Sequence, residues 1–525
     1  MSDDQIRDLF QSAEVWSPDN KAAAGTGAAI LPGPSTAPAT PAAVGSNPVL
    51  PPLQLGSDVD IANCVSLVLR QDRGEVIFSE GHFWYYVKSH WRAIENHELR
   101  RVVHRYDGAS PPGGRAIKLN KSRIDSVLNE MSAMLMREDF FAEAPVGINC
   151  GSGFIDFASD GMPRVLPHQP EHRCRHVLSA FFQETWGRDD EELFSNSQAL
   201  GDLVGRLLEG VFLGDPDAKE KRQLLAEIAG AAALGYRSKS WEPKAVILEG
   251  KTAENGKSQI LDLFRGLLPS DAVTSIPAAK MSDERFLVRL VGKHLNASDE
   301  LSGAEAIASE VFKAIVTGEP VSGRDVYRSV VDFRSVAQNV FAANTLPSFR
   351  GGMDRGVQRR LLVLTFNRTI PVGERVANIG KRVAEEEADI LLTWAVAGAS
   401  RLIRQRAFTI PPSSKAALRD WLLGADPVLA WLNSRVEEVD PKVPDADKAR
   451  IKSKDAYADF VNWARYEGFR ENTLPAISGF VQRLRANRPS IGVKHTSHSN
   501  FLTGIKLISS QGEPDVADFF AGRSR

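Results

Sequence analysis

Residues 244–268, KAVILEGKTAENGKSQILDLFRGLL, decide how the chain is read. The apolar run Ala245-Val246-Ile247-Leu248 predicts a strand, a Gly-containing loop ends in Gly256-Lys257-Ser258, and residues 259–268 continue with helical spacing. Strand, loop and helix in that order suit a phosphate-binding loop, because the N–H groups of the loop and of the helix's first turn then face one anion. Gly250, Glu254, Asn255, Gly256, Lys257, Ser258 and Gln259 are the candidate nucleotide-contact residues. Lys257 would place its charge at the β- and γ-phosphates, and Ser258 would give its hydroxyl to Mg²⁺. The usual pattern is G-x-x-x-x-G-K-S/T, whereas five residues separate Gly250 from Gly256. Either the loop carries one insertion or Lys251 takes the first-glycine place. The later half, which grips the phosphates, is intact.

Three segments downstream supply what such a loop needs. LVRLVGKHLNASDEL (287–301) runs apolar into Asp299-Glu300, which predicts a second strand. Asp299 would hold Mg²⁺, directly or through water, and Glu300 would polarise the attacking water. NVFAANTLP (339–347) predicts a third strand ending in Asn344, placed to orient that water; a turn-forming Asn before Pro347 is the structural alternative. GGMDRGVQRRLLVLTF (351–366) sets Arg359 and Arg360 directly before an apolar strand. An arginine there can cross a subunit boundary and stabilise transition-state charge. Arg360, abutting the strand, is favoured; Arg355, Arg359 or a purely structural salt bridge are the alternatives.

The whole chain sets the bounds. A length of 525 residues suits about three domains. Lys and Arg number 64 against 66 Asp and Glu, so any nucleic-acid contact must come from local patches rather than from overall charge. Three cysteines cannot build a disulfide scaffold or a four-cysteine zinc site, which suits a reducing cytoplasm. The N-terminal MSDDQIRDLF lacks a signal pattern, and no apolar run approaches the ~18 residues of a spanning helix. A cytoplasmic protein with no membrane partner is expected.

Residues 1–57 comprise a short amphipathic peptide and an Ala/Pro/Gly-rich linker, expected to be disordered. The peptide reads as a frayed terminus or as a tether for a separate primase or initiator. Residues 58–175 predict a small α+β domain, with a hairpin at 75–94, a helix at 119–139 and a strand–turn–strand at 148–157. Residues 176–240 read as helical, broken at Gly214-Asp215-Pro216, and as an oligomerisation collar; residues 241–415 carry the phosphate-loop motifs. Asp58 and Asp60, a D-x-D without an acidic cluster around it, are set aside as a metal site. His168, His172, Cys174 and His176 crowd into one Pro-broken stretch and read as a structural loop. Over 448–506 eleven cations face four carboxylates, a local +7 within a chain of net −2. Arg483, Arg485 and Arg488 fall near the end of a helix predicted at 475–487, where they would meet phosphates or form a plain solvated face.

In this order the motifs resemble those of the superfamily 3 helicases, specifically the phage and plasmid primase–helicases related to the poxvirus replicative NTPase. The carriers are NGKS (255–258), SDEL (298–301), TGEPVSGRDVY (317–327), FAANTLP (341–347) and DRGVQRRLLVLTF (354–366), and the likeness spans roughly residues 75–510. The resemblance implies an α/β, AAA+-like P-loop NTPase core, preceded by the small α+β domain and the helical region. It also implies a winged-helix-type module over 425–510, followed by a tail at 511–525. It further implies a homo-oligomeric, usually hexameric ring that uses ATP and Mg²⁺ to translocate 3′→5′ on single-stranded DNA and unwind forks. ATP would lie between subunits, with Lys257, Ser258, Asp299 and Glu300 from one and Arg360 from the next. A DNA-tracking hairpin is expected between Asp299 and Asn344, in a segment that carries Lys313, Arg324, Arg328 and Arg334. With only a small domain before the helical region, the chain reads as a stand-alone helicase. An ATP-switched, origin-binding initiator without processive unwinding, and an NTPase acting on protein or RNA, are the competing readings.

Overall fold

The computed structural model describes residues 50–183, 201–235, 239, 241–299, 301, 305–324, 330–350, 353–439, 449–469, 474–496 and 499–508. The N-terminal peptide, most of the linker, Glu300, Arg328 and the tail lie outside the described residues.

The first helix, α1 (Asp58–Arg73), starts on a dense cap. Ser57 accepts the Asp60 N–H, while the Asp60 carboxylate accepts the N–H groups of Gln54, Leu55 and Gly56, each at 2.9 Å. Asp58 meets Arg123 at 2.9 Å, so both carboxylates of the D-x-D are spent on holding the chain entry. The predicted hairpin forms as β1 (Val76–Ser79) and β2 (His82–Tyr86) around Glu80-Gly81, and β3 (Trp91–Ala93) adds a third antiparallel strand. Helices α2 (Asn96–His104) and α3 (Lys121–Met134) cover α1. A second antiparallel sheet joins β4 (Gly147–Cys150), β5 (Gly153–Phe157) and β6 (Pro163–Leu166).

Residues 176–183 correct the helical expectation. The Leu178 N–H donates to Asn149 O and the Gly151 N–H to Ala180 O, so this piece lies extended along β4, whose edge it satisfies. Helical structure begins with α4 (Asp202–Phe212) and α5 (Ala218–Leu234), separated at Gly214-Asp215-Pro216 as expected.

The α/β expectation holds in a five-stranded, all-parallel sheet. Its strands are β7 (Ala245–Glu249), β8 (Val273–Thr274), β9 (Leu295–Ser298), β12 (Gln338–Ala343) and β13 (Leu361–Thr365), arranged β13-β7-β12-β9-β8. Between β9 and β12 the chain makes α7 (Ser309–Thr317) and the antiparallel pair β10 (Pro320–Gly323) and β11 (Val331–Arg334). Helix α6 (Lys257–Leu267) follows β7; α8 (Ile379–Glu386), α9 (Ala388–Gln405) and α10 (Pro412–Ala425) follow β13. The expected second strand is shorter than the apolar run suggests. Residues 284–290 coil into helical turns, and only Leu295–Ser298 pair. Apolar residues cover both sheet faces: Leu248, Leu261, Val340 and Trp394 on one side, Ile247, Phe341, Phe312 and Trp421 on the other. Helices α5 and α9 touch backbone to backbone, since a Cβ at Gly398 would lie 1.9 Å from Ala226 O.

Beyond the sheet, α11 (Pro427–Arg435), α12 (Ser453–Tyr466) and α13 (Ile477–Asn487) enclose Trp431, Phe460 and Phe480. Strand β14 (Val436–Glu438) pairs with β18 (Ile505–Leu507). Strands β15 (Arg450–Lys452), β16 (Gly492–His495) and β17 (Asn500–Thr503) form a separate antiparallel sheet.

Candidate active site

All strands of the parallel sheet point one way, so their carboxyl ends share an edge, the usual place for ligands in open α/β sheets. Leaving β7 at Glu249, the chain folds the loop back over itself. A Cβ at Gly250 would lie 2.1 Å from Asn255 Nδ2 and 2.7 Å from Lys257 Nζ, so any larger residue would have to displace those two side chains. Gly256 adopts φ +88° and starts α6, with Ile260 N–H donating to its carbonyl at 3.1 Å. Lys257 Nζ donates to Gly250 O (3.0 Å), Asn255 Oδ1 (3.1 Å) and Asn344 Oδ1 (3.1 Å), using all three ammonium protons. Burial pushes the Lys257 amine below its ordinary pKa, and the nearby Glu249 carboxylate opposes this. Ser258 is exposed in the first turn of α6. Gln259 faces elsewhere, its Oε1 accepting the Gly380 N–H at 3.1 Å and thereby docking α8.

The loop turns at Glu254, whose φ is +60°. Its carbonyl accepts the Ile370 N–H at 3.0 Å, and its carboxylate meets Arg375 Nη2 at 2.5 Å. The segment after β13 thus clamps a conformation that non-glycine residues adopt rarely.

Strand β12 lies between β7 and β9 and carries Asn344 to the lysine; β9 delivers Asp299 on its far side. Asn296, buried within β9, bonds Asn339 Oδ1 of β12 at 3.1 Å and both backbone groups of Ile276, which locks the register. Asp299 is held by Arg265 of α6, with Nη2–Oδ2 at 2.6 Å and Nη1–Oδ1 at 3.2 Å. The same guanidinium bonds Ala297 O at 3.0 Å and Asp262 Oδ1 at 3.1 Å. Arg265, Arg375 and Glu249 are not marked by any motif in the sequence. Only the i, i+3 spacing of Asp262 and Arg265 was visible in it.

Of the three arginines before β13, Arg360 is 8% exposed. Its Nη1 donates to Gly356 O at 2.8 Å, Nη2 lies 3.9 Å from Glu319, and the buried Nε has no partner among the described residues. Burial lowers its pKa. Arg355 and Arg359 are exposed instead, and both line a cavity of about 540 Å³ with Gln358, Lys415 and the buried Ser414.

The expected DNA-contact cations are dispersed. Lys313 is on α7, not on the hairpin, and pairs with Glu310 (2.8 Å) and Asp354 (3.1 Å). Arg324 is exposed at the end of β10, and Arg334 on β11 lies 3.7 Å from Asp139. Arg483 and Arg485 are exposed on α13, while Arg488 is engaged with Glu438 (2.6 Å) and Asn433 (3.1 Å). His168, His172, Cys174 and His176 do not converge. His168 meets Asn149, His172 stacks on Phe154, Cys174 donates to His172 O, and His176 reaches Asp271 and Gly292 O. Among the described residues no helix is long and apolar enough to cross a membrane.

Fold and site together define an α/β protein with a Gly-Lys-Ser loop at the carboxyl edge of a parallel sheet, beside an aspartate and an asparagine from neighbouring strands. Residues 66–230 match a family described as "D5 N terminal like", and residues 248–360 match a "Family of unknown function (DUF5906)". The match over residues 66–230 supports membership in the D5-like primase–helicase superfamily of phages and poxviruses. This relationship supports an ATP-driven DNA-unwinding role and ATPase or helicase activity at the level of the family. No curated protein matches the chain. Among solved structures it is similar to "The A form apo structure of NrS-1 C terminal region-CTR", at 13% identity and TM-score 0.39, covering 83% of this chain and 98% of that one. A second, "The A form apo structure of NrS-1 C terminal region-CTR(305-718)", is 11% identical with TM-score 0.40, covering 86% and 100%.

Proposed function

We propose that this chain is the ATP-driven replicative DNA helicase of a phage, prophage or plasmid, built on an AAA+-like motor of the superfamily 3 type. The observation that supports this best is the bond from Lys257 Nζ to Asn344 Oδ1. It sets the loop lysine against the end of the strand lying between β7 and the aspartate-bearing β9, where one group can sense the γ-phosphate while another holds the metal. The glycine-bounded cradle and the free first turn of α6 suit a triphosphate. Mg²⁺ suits the donor set as well: it takes few protein ligands and completes its octahedron with water and phosphate, so the Ser258 hydroxyl and the Asp299 carboxylate would hold it. The ion would neutralise phosphate charge. Glu300 would orient the attacking water, and Asn344 would position it.

In this reading the domains are those the sequence suggests, except that residues 176–183 join the small α+β domain begun at 58: the collar then runs to 240, the ATPase spans 241–415 and the winged-helix-type module 425–510. The chain would act as a ring, usually of six, with the triphosphate between neighbours. Exposure favours Arg355 or Arg359 over Arg360 as the residue reaching the next subunit. Arg324 and Arg334 of the β10–β11 hairpin would track a single strand, and Arg483 and Arg485 of α13 would meet backbone phosphates.

The test is strand displacement on a forked duplex by the full chain, alongside ATP hydrolysis with and without single-stranded DNA. Hydrolysis stimulated by DNA together with strand release is expected. DNA binding and hydrolysis with no strand released would indicate an initiator, and hydrolysis indifferent to DNA would defeat the proposal.

A further inference from the structure

The small domain has a charge imbalance that its own packing does not absorb. Over residues 99–123 seven cations, Arg100, Arg101, Arg105, Arg115, Lys118, Lys121 and Arg123, face one carboxylate, Asp107. Neighbouring acids are already engaged: Asp125 pairs with Arg100, Asp58 with Arg123 at 2.9 Å, and Glu98 with Arg73 at 2.7 Å. Asp107 is spent on backbone, its Oδ1 accepting the Leu119 N–H at 2.8 Å. Arg101, Arg115, Lys118 and Lys121 are exposed and form no ion pair among the described residues.

The backbone folds this stretch back on itself, with Arg115 in the returning loop. After α2 the chain doubles back, Gly108 N–H donating to Ile117 O and Ile117 N–H to Ala109 O, both at 2.8 Å. This returns Lys118 to the end of α2, which carries Arg101, and Asn120 then caps α3 with Lys121 in its first turn. Two cations therefore stand at a helix N-terminus and its approach, where the dipole disfavours positive charge. Folding gains little from that arrangement, whereas a polyanion laid over it would gain from both. No large exposed apolar side chain falls within residues 92–121, which argues against a membrane surface. The same domain abuts the β10–β11 hairpin, since a Cβ at Gly81 would lie 3.1 Å from Val331 Cγ2 and Asp139 lies 3.7 Å from Arg334.

We propose that the surface formed by Arg101, Arg115, Lys118 and Lys121 binds the phosphodiester backbone of nucleic acid beside the motor. This rests on the helicase reading and adds a contact outside the parallel sheet and the C-terminal module. The contact is electrostatic and independent of base sequence, because exposed Arg and Lys meet phosphate oxygens rather than base edges.

The test measures binding of fluorescein-labelled single-stranded, duplex and forked DNA to the full chain over a range of salt. In R101E/R115E/K118E affinity for at least one of these DNAs should fall about tenfold or more. The slope of log K against log salt should shrink by about two to three, at 0.7–0.9 per phosphate contact. R101K/R115K/K118R should bind as the parent does, and an unchanged thermal unfolding midpoint checks that the reversed variant folds. Unchanged affinity and slope in R101E/R115E/K118E, with R483E/R485E weakened, would overturn this surface and leave the helicase reading standing. Absence of DNA binding by the parent would remove the reading itself. Polyglutamate competing as well as DNA would overturn the nucleic-acid assignment in favour of an acidic protein partner.

Discussion

Arg265 grips the Asp299 carboxylate with both terminal nitrogens, at 2.6 and 3.2 Å, from the helix that begins at Lys257. The aspartate proposed to hold Mg²⁺ is therefore matched by a cation of its own chain, and metal must compete with it. Asp299 is about half exposed, its side chain retaining 54% accessibility, so the pair contributes no more than about 1 kcal/mol. In R265Q the Mg²⁺ concentration giving half-maximal ATP hydrolysis should fall roughly fivefold. A magnesium titration at saturating ATP checks this, and an unchanged midpoint would show that the fork does not compete with the metal.

Lys257→Ala should abolish hydrolysis while the thermal unfolding profile stays close to the parent's, because the amine's partners are polar groups at the loop mouth. Arg359→Ala should still bind nucleotide but turn over slowly, and mixing it with Lys257→Ala should recover part of the activity, since intact sites then form at mixed seams. Arg360→Ala should instead lower the unfolding midpoint without recovery on mixing, because its side chain is committed to Gly356 O within its own subunit. Recovery with Arg360→Ala alone would reverse that assignment.

The ion pair between Arg375 and Glu254 fixes the loop where its backbone is left-handed. Both side chains keep contact with solvent, so the pair contributes about 0.2–1 kcal/mol. Arg375→Ala should raise KM for ATP about two- to fivefold with kcat nearly unchanged, because the clamp shapes the ground-state loop rather than the reacting atoms. Steady-state kinetics over a range of ATP check the split.

His294 precedes β9, edge-on to His176 at 5.0 Å, and its Nδ1 is buried without a partner among the described residues. Burial, reinforced by the charges of His176 and Arg175, pushes its pKa down to about 3, with Asp271 opposing. An unfolded histidine titrates near 6.5, so between about pH 6.5 and 3 the unfolded chain binds the extra proton. The contribution is complete above about pH 6.5 and is lost as pH falls. Urea midpoints at about pH 7.5 and pH 5 should differ by an amount corresponding to about 1–2 kcal/mol more in the parent than in His294→Leu. Equal pH dependence in the two would contradict it.

What the sequence makes legible here is local. The strand–loop–helix at 244–268, the strand ending before Asn344 and the strand after Arg360 all announce themselves through short-range pattern, and each forms. The run LVRL misleads because a short apolar stretch has no period of its own; it coils, and Leu295–Ser298 alone make the strand. The contacts that shape the loop and the aspartate join residues far apart. Arg265 and Asp299 are 34 positions apart, and Arg375 and Glu254 are 121 apart, with no spacing rule to link them. The burial of Arg360 likewise depends on Gly356 and Glu319, which only the folded α7–β13 region brings together. Side-chain exposure, rather than chain position, separates Arg355 and Arg359 from it.

The β10–β11 pair lies against the small domain at both ends, Val331 on Gly81 beside the turn and Arg334 beside Asp139 at the open end. Were the pair to move as proposed for a DNA-tracking hairpin, it would drag that domain along or prise the seam open. The two would move as geared parts, so that load applied to the small domain would slow the engine and slackening the seam would let it run idle.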